Sequence, residues 1–393
     1  MSKIEGIEQQ LKIIKRGAVE IISEQELIQK IEQAGVEKRP LRIKAGFDPT
    51  APDIHLGHTV LLRKLRQLQD LGHIVYFLIG DFTARIGDPS GRLQTRKPLN
   101  KREILKNAQT YKEQVGRVLN IKRIKTVFNS QWFDRMPVAE ILKLTMHTTV
   151  GQMLARADFK KRLEKNEEVS LLEFMYPILQ GYDSVVIKSD IEIGGTDQIF
   201  NLLVGRDLQR DFGQSPQVII TLPLLEGTDG INKMSKSQGN YIGVTEKPEE
   251  MFGKIMSISD ELMLKYYTLL TDEDLSEVKQ LHPKEAKLRL AEMIVTQYHS
   301  QRAARASRDE FQRIFAARQI PKDIPAFSIS EPQRIIEIIT KSGLSRSGNE
   351  ARRLIRQGAV IFNERKIKDE NFIIDCSGVL KIGSRRFLNI KKQ

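Results

Sequence analysis

The segment Leu41-Arg42-Ile43-Lys44-Ala45-Gly46-Phe47 reads as a strand, closed by the turn-prone run Asp48-Pro49-Thr50-Ala51-Pro52-Asp53. From Thr59 the apolar positions Leu61, Leu62, Leu65 and Leu68 recur at helical spacing until Gly72 stops the pattern. Ile74 to Ile79 is continuously apolar, as a strand buried on both faces has to be. Strand, helix and strand at this spacing predict one right-handed βαβ unit. A late apolar run, Val218 to Leu225, predicts another strand of the same sheet. Residues 134–184 read as a mostly helical insertion between the two halves of that sheet. After Lys247-Pro248 the period turns helical to about residue 317, with Met251, Leu262, Leu275 and Ala291 on the apolar side. Two prolines, Pro321 and Pro325, mark a linker over 318–332. The expected fold is therefore α/β: a Rossmann-like doubly wound parallel sheet with a helical insertion over 1–245, a helical domain over 246–317, and a small α+β domain over 333–393.

Composition sharpens this picture at three points. The single cysteine, Cys376, excludes an intrachain disulfide and fits a reducing cytoplasm. The longest apolar runs fall short of a bilayer span, and the mixed Glu, Lys and Ile of the first fifteen residues is unlike a signal peptide. Net charge is +13, and residues 333–393 carry 14 Lys or Arg against 6 Asp or Glu, a net +8. Such an excess points to a polyanionic partner. A merely solvated basic tail would not need the patterned Ile335, Ile336, Ile338, Ile339 and Leu344.

The chemistry concentrates in two strings, His55-Leu-Gly-His58 and Lys233-Met-Ser-Lys236-Ser. Two histidines three apart around Gly57 offer donors to phosphate oxygens beside a backbone that a nucleotide approaches closely. Two lysines three apart among small hydroxyl residues make a cationic clamp for a polyphosphate. The first string lies where a parallel strand gives way to a helix, the usual nucleotide position in doubly wound sheets. Together they predict ATP-driven adenylate chemistry. Gly80 to Arg92 forms a tight loop that turns Asp88 toward a ligand, or serves as a surface turn. Tyr176, Gln180 and Asp183 share a helical face at i, i+4 and i+7, suited to an amino acid's ammonium group and polar tip. Gly194-Gly195-Thr196-Asp197-Gln198 reads equally as a site or as a turn with an N-cap. The only tryptophan, in Asn129-Ser-Gln-Trp132, is expected in the core. Metal-ligand spacing of Cys and His is lacking, so no metal site is expected.

With these clusters assembled, the chain resembles the bacterial tyrosyl-tRNA synthetases, a class I aminoacyl-tRNA synthetase family, over nearly its whole length and most strongly from Leu41 to Gly243. The resemblance implies catalytic roles for His55, His58, Lys233, Lys236 and Thr50. It implies ATP contacts from Asp48, His55, Gly57, His58, Asp197, Lys233 and Lys236, with ATP bound as its Mg2+ complex and no tightly held cofactor. Tyrosine contacts fall to Lys44, Asp88, Tyr176, Gln180, Asp183 and Gln198, with Asp183 as the acceptor for the phenol hydroxyl. Arg92 and Arg96 are placed near the entrance. Lys44 is a departure: many members carry a tyrosine there that shares the hydroxyl, and Lys44 resembles a second branch that also has His-Leu-Gly-His. The terminal segment Ser345 to Gly358 resembles a small RNA-binding domain of the ribosomal-protein S-four type, with Arg346, Arg352, Arg353 and Arg356 toward tRNA phosphates. Tyrosine, ATP and tRNA(Tyr) are the implied partners, together with a homodimer formed around Thr145 to Glu173, without a membrane and in the cytoplasm. The alternatives are a tryptophanyl relative, or an RNA-binding protein or chaperone on an inactive synthetase scaffold. The triad 176, 180, 183 opposes the first and the intact histidines and lysines oppose the second.

Overall fold

The computed structural model describes residues 6–49, 54–88, 101–315, 324–345, 347–363, 365–383 and 386–392. Thr50, Arg92, Arg96 and Arg346 lie outside them. The chain divides into two compact units, Met1–Gln301 and Arg302–Gln393.

In the first unit, six strands among the described residues form one sheet: β1 (Glu20–Ile22), β2 (Arg42–Phe47), β3 (Ile74–Ile79), β4 (Ile124–Phe128), β5 (Ile191–Gly195) and β6 (Val218–Leu222). Their order is β1-β6-β5-β2-β3-β4, parallel except for β1, which runs antiparallel to β6. Ile43, Ala45, Val75, Phe77, Ile191, Ile193, Val218 and Ile220 are buried, as a sheet covered on both faces requires. The chain runs from β2 outward to β4, then returns to the other side of β2 through β5. Between β2 and β5 the winding reverses, which opens a crevice beyond their carboxyl ends. Residues 134–187 are mostly helical and end in the long helix Leu171–Ile187, started by a capping box of Ser170 and Glu173.

Two predicted edges move. The helix expected from Thr59 begins at Leu56, so Gly57 and His58 occupy its first turn. β6 stops at Leu222, because Pro223 has no N–H to continue the ladder. The short strands β1, β4 and β5 escape the apolar pattern: β4 carries Lys125 and Thr126, and β5 carries Glu192 and two glycines.

Among its described residues the second unit contains most of the helix Gln301–Phe315, the helices Ile335–Lys341 and Gly348–Arg356, and seven strands: β7 (Ala326–Ile329), β8 (Gln333–Arg334), β9 (Val360–Phe362), β10 (Arg365–Ile367), β11 (Ile373–Ile374), β12 (Gly378–Ile382) and β13 (Arg386–Lys392). Five of them make a sheet ordered β10-β9-β12-β13-β7, and β11 pairs with β8. Ile335, Ile338, Ile339, Ala351, Ile355, Leu380 and Ile390 build its core. Residues 326–329, expected as linker, instead form β7, parallel to β13. Their apolar residues Phe327 and Ile329 join that core, and a four-residue strand is too short for periodicity to expose.

The helix Leu171–Ile187 and the helix Ile199–Asp211 approach closely through Gly181 and Gly205. A Cβ on Gly181 would stand 3.1 Å from the Gly205 backbone and 2.8 Å from Leu208 Cδ1. Gly181→Ala is expected to destabilise the protein, since overpacking at about 1–3 kcal/mol exceeds the roughly 0.5–1 kcal/mol gained in helix propensity. Urea unfolding checks this. A midpoint equal to or above the parent's would show that the helices yield.

Candidate active site

Asp48 stands one residue past the end of β2. Its Oδ2 accepts a hydrogen bond from the Tyr176 hydroxyl at 2.9 Å, and its Oδ1 accepts one from Thr83 Oγ1 at 3.0 Å. Gly80 makes this possible, because a Cβ there would collide with both the Asp48 carboxylate and the Thr83 hydroxyl. Tyr176, Gln180 and Asp183 lie on one face of the 171–187 helix and line a cavity of about 150 Å³ with Asp48, Asp88 and Gln198. Gln198 Nε2 donates to Asp88 Oδ2 at 2.8 Å. Asn201 Nδ2 donates to the amide oxygens of Gln180 at 3.1 Å and Gln198 at 3.0 Å, and Arg156 in turn donates to Asn201 Oδ1 at 3.2 Å. This end of the cavity presents a carboxylate, amide oxygens and a phenol oxygen, a set of acceptors suited to an ammonium group.

The opposite end is apolar except for Asp183 and the buried Glu192. Leu78, Ile193 and Leu202 wall the cavity, and Asp183 is 1% exposed. Trp132 Nε1 donates to its Oδ1 at 2.9 Å, and Asn129 Nδ2 donates to its Oδ2 at 3.4 Å. Burial pushes the Asp183 carboxyl up to about 7, against the pull of Lys44, Asn129 and Trp132. A carboxylate of this kind, held by two weakly acidic donors in an apolar wall, has capacity for a further hydroxyl.

His55 caps the 56–70 helix, whose first-turn N–H groups make an anion-binding end. His55 N donates to His58 Nδ1 at 3.3 Å, and the two rings stand 3.9 Å apart. Burial, each other's proximity and the two lysines press His55 down to about 3, and burial presses His58 to about 4. Both are neutral imidazoles at pH 7, able to donate without adding charge. The lysine loop lies against them: Met234 is buried and its Sδ stands 3.3 Å from Gly57 N. Lys233 approaches Asp197 at 3.7 Å, and Lys236 lies 5.6 Å from the centre of the Tyr241 ring. Asn240 braces the loop from inside, accepting from Ser235 N at 2.8 Å and donating to Lys233 O at 3.3 Å.

Lys44, expected to contact tyrosine, lies behind the cavity wall. It is 0% exposed, with Nζ 2.8 Å from Glu192 Oε1, 2.9 Å from Gln180 O and 2.7 Å from Ser184 Oγ. It thus makes two hydrogen bonds and one ion pair, all inside the protein. In the second unit, Arg352, Arg353 and Arg356 are exposed on the 348–356 helix, with Glu370 paired to Arg356 and 3.9 Å from Arg352.

Residues 36–316 match the family of class I tRNA synthetases (W and Y), and residues 316–386 match the tyrosine--tRNA ligase SYY-like C-terminal domain. The chain is 51% identical over 390 residues to the tyrosine--tRNA ligase of Aquifex aeolicus, covering 98% of each. It is 50% identical over 407 residues to that of Carboxydothermus hydrogenoformans, again covering 98% of each. The chain belongs to the tyrosyl-tRNA synthetases of class I. The tyrosyl-tRNA synthetase of Archaeoglobus fulgidus, solved with L-tyrosine, superposes on 77% of this chain and 100% of its own with a TM-score of 0.63 at 27% identity.

In this tyrosyl-tRNA synthetase site Trp132 packs against the core around Phe133 and Leu179, as expected, and its indole N–H also holds Asp183, a role the sequence did not reveal. Asn129, Thr83, Asn201 and Met234 also went unassigned. A usable signal existed for Asn129 and Trp132, since they follow β4 at the same carboxyl edge of the sheet as Asp48 and Gly80. Trp132→Phe removes one donor to a buried carboxylate, so the Asp183 carboxyl is expected to titrate above about 7. Carbon-13 NMR of labelled aspartate checks this, and a titration that stays put or moves down contradicts it.

Proposed function

We infer that the cavity takes tyrosine with its ammonium group toward Asp88, Tyr176 and Gln180 and its hydroxyl toward Asp183. The reaction is that of a tyrosine--tRNA ligase. A carboxylate oxygen of tyrosine forms a bond to the α-phosphorus of ATP, pyrophosphate leaves, and tyrosyl-adenylate remains. A hydroxyl of the terminal tRNA ribose then attacks the tyrosyl carbonyl carbon, and AMP leaves. The first step needs no activated nucleophile, because the carboxylate is already ionised. Its catalysis rests on positioning and on neutralising charge at the α-phosphate and the leaving pyrophosphate. ATP enters as its Mg2+ complex, a substrate.

His55, His58 and the first-turn N–H groups suit phosphate oxygens, supported by their place at a helix N-terminus. Lys233 and Lys236 serve pyrophosphate, supported by a loop that lies against the histidine helix and sets Lys233 beside Asp197 and Lys236 over the Tyr241 ring. Asp48 is shared with Tyr176 and Thr83, so it braces the ammonium end as well as bordering the nucleotide side. Arg352, Arg353 and Arg356 suit tRNA phosphates, their charge set on an exposed helix face. The protein acts as a cytoplasmic homodimer. The support for pairing is the exposed set Val138, Leu142, Met146, Val150 and Leu171, which gathers in the helical insertion. No helix among the described residues is long and apolar enough to cross a membrane.

The observation that carries this reading is the buried Asp183 carboxylate at the apolar end of the cavity. With phenylalanine bound it would keep an unpaired acceptor, the kind of loss that lets a hydrogen-bonding site reject the deoxy analogue. Sites built to hydrogen-bond a substrate hydroxyl reject the analogue lacking it by about 10⁴–10⁵-fold, tyrosyl synthetase being the standard example. Asp183→Ala is expected to lower kcat/KM for tyrosine by about 10²-fold or more, and to change that for phenylalanine far less. Pyrophosphate exchange with both amino acids measures it. A ratio that survives the substitution means the hydroxyl is read elsewhere.

A further inference from the structure

A buried polar network runs from the cavity wall, where Glu192 contributes to the lining, back to Lys44, which does not. Lys44 rises from β2 and Glu192 from β5, and both are about fully buried, at 0% and 1% exposure. Besides Lys44, Glu192 accepts from Ser184 Oγ at 3.0 Å and from Gln217 Nε2. Gly205 lets the 199–211 helix close over them, since a Cβ there would stand 2.9 Å from Gln217 Nε2 and 3.2 Å from Ser184 Oγ. Two of Lys44's three partners, Gln180 O and Ser184 Oγ, flank Asp183 on the helix that carries it. A hydrophobic pair of similar size would fill this space without the desolvation cost of two ions. The ion pair therefore calls for a reason beyond packing.

We propose that Lys44 and Glu192 form a positioning pair for hydroxyl recognition: Lys44, outside the cavity lining, fixes the Gln180–Ser184 turn against the sheet and sets its charge toward Asp183 from behind, with Glu192, at the cavity wall, as the counterweight. This rests on the reading of Asp183 as the hydroxyl acceptor. Position gives the pair a sign. Lys44 favours the Asp183 carboxylate and Glu192 opposes it, Lys44 being the stronger of the two. The other groups at the cavity are Tyr176, on Asp183's own helix, Asn129 and Trp132 from beyond β4, Asp48 from beyond β2, and Asp88. The Tyr176 phenol is held well above its ordinary range by burial. Tyrosine, which needs the carboxylate as acceptor, then binds more tightly as pH rises through about 7, the pH at which Asp183 titrates. Phenylalanine, with no hydroxyl, shares every other titration and serves as the reference.

The test measures tyrosine and phenylalanine affinity of the full-length chain against pH, with unfolding midpoints recorded alongside, for the parent, Lys44→Met, Glu192→Gln and Asp183→Ala. Lys44→Met is expected to move the tyrosine-specific midpoint to higher pH and to weaken tyrosine at pH 7 by about tenfold, the equivalent of one pKa of lost preference for the carboxylate. Glu192→Gln, which keeps shape and the Ser184 bond, is expected to move the midpoint the other way, to lower pH. A purely structural pair would lower the unfolding midpoints and leave both profiles where they were. Opposite displacements support the proposal; unmoved profiles, or displacements in one common direction, overturn it. If Lys44→Met does not fold, the Glu192→Gln profile decides alone: lower pH supports, unchanged or higher overturns. A parent ratio of tyrosine to phenylalanine that survives Asp183→Ala would instead remove the underlying reading, a different failure from an Asp183-dependent ratio with unmoved profiles.

Discussion

A carboxylate taken out of water has to be held by donors that replace it, and the surroundings of Asp183 are arranged around that requirement. Its donors and its nearby positive charge come from different parts of the first unit. Trp132 and Asn129 reach it from the segment after β4, and Lys44 acts from β2. The helix bearing Asp183 is fixed by its glycine contact with the 199–211 helix and by Lys44's grip on Gln180 O. Sheet order, helix packing and side-chain placement thus meet at one group. Held less firmly, it would take up a proton and become a poorer acceptor for a phenol.

The two ends of the site solve opposite electrostatic problems. At the amino-acid end, negative and neutral acceptors gather around Asp48, Asp88 and Tyr176, in a cavity closed by Gln198 and Asn201. At the nucleotide end, neutral histidines, helix N–H groups and two lysines collect donors and positive charge. The switch point between β2 and β5 lets both ends open from one crevice, the arrangement that the proposed attack of a carboxylate on an α-phosphate requires. The Met234 thioether against Gly57 ties the lysine loop to the histidine helix across that crevice.

Much of this was legible in the chain itself. β3 and β6 announce themselves by apolar runs and β2 by the turn-prone segment that closes it, and the i, i+4, i+7 spacing of 176, 180 and 183 places three groups on one helix face. The short strands β4, β5 and β7 were not legible, because charged residues, glycines and brevity erase their period. Missing β4 hid the role of Trp132, since a lone tryptophan reads as core until the strand before it is seen to end at the site. Lys44 was legible as a departure but not in its role. Whether a lysine meets a ligand or an internal glutamate depends on Glu192, about 150 residues away and one strand over, which no local pattern reveals.

The central claim is that this site selects its amino acid by the hydroxyl presented to Asp183. Pyrophosphate exchange by the unmodified protein, with tyrosine, phenylalanine and tryptophan compared at saturating ATP, tests it most directly. Robust exchange with tyrosine and only trace exchange with the other two is the expected result. Exchange with phenylalanine or tryptophan at a rate comparable to tyrosine would contradict it.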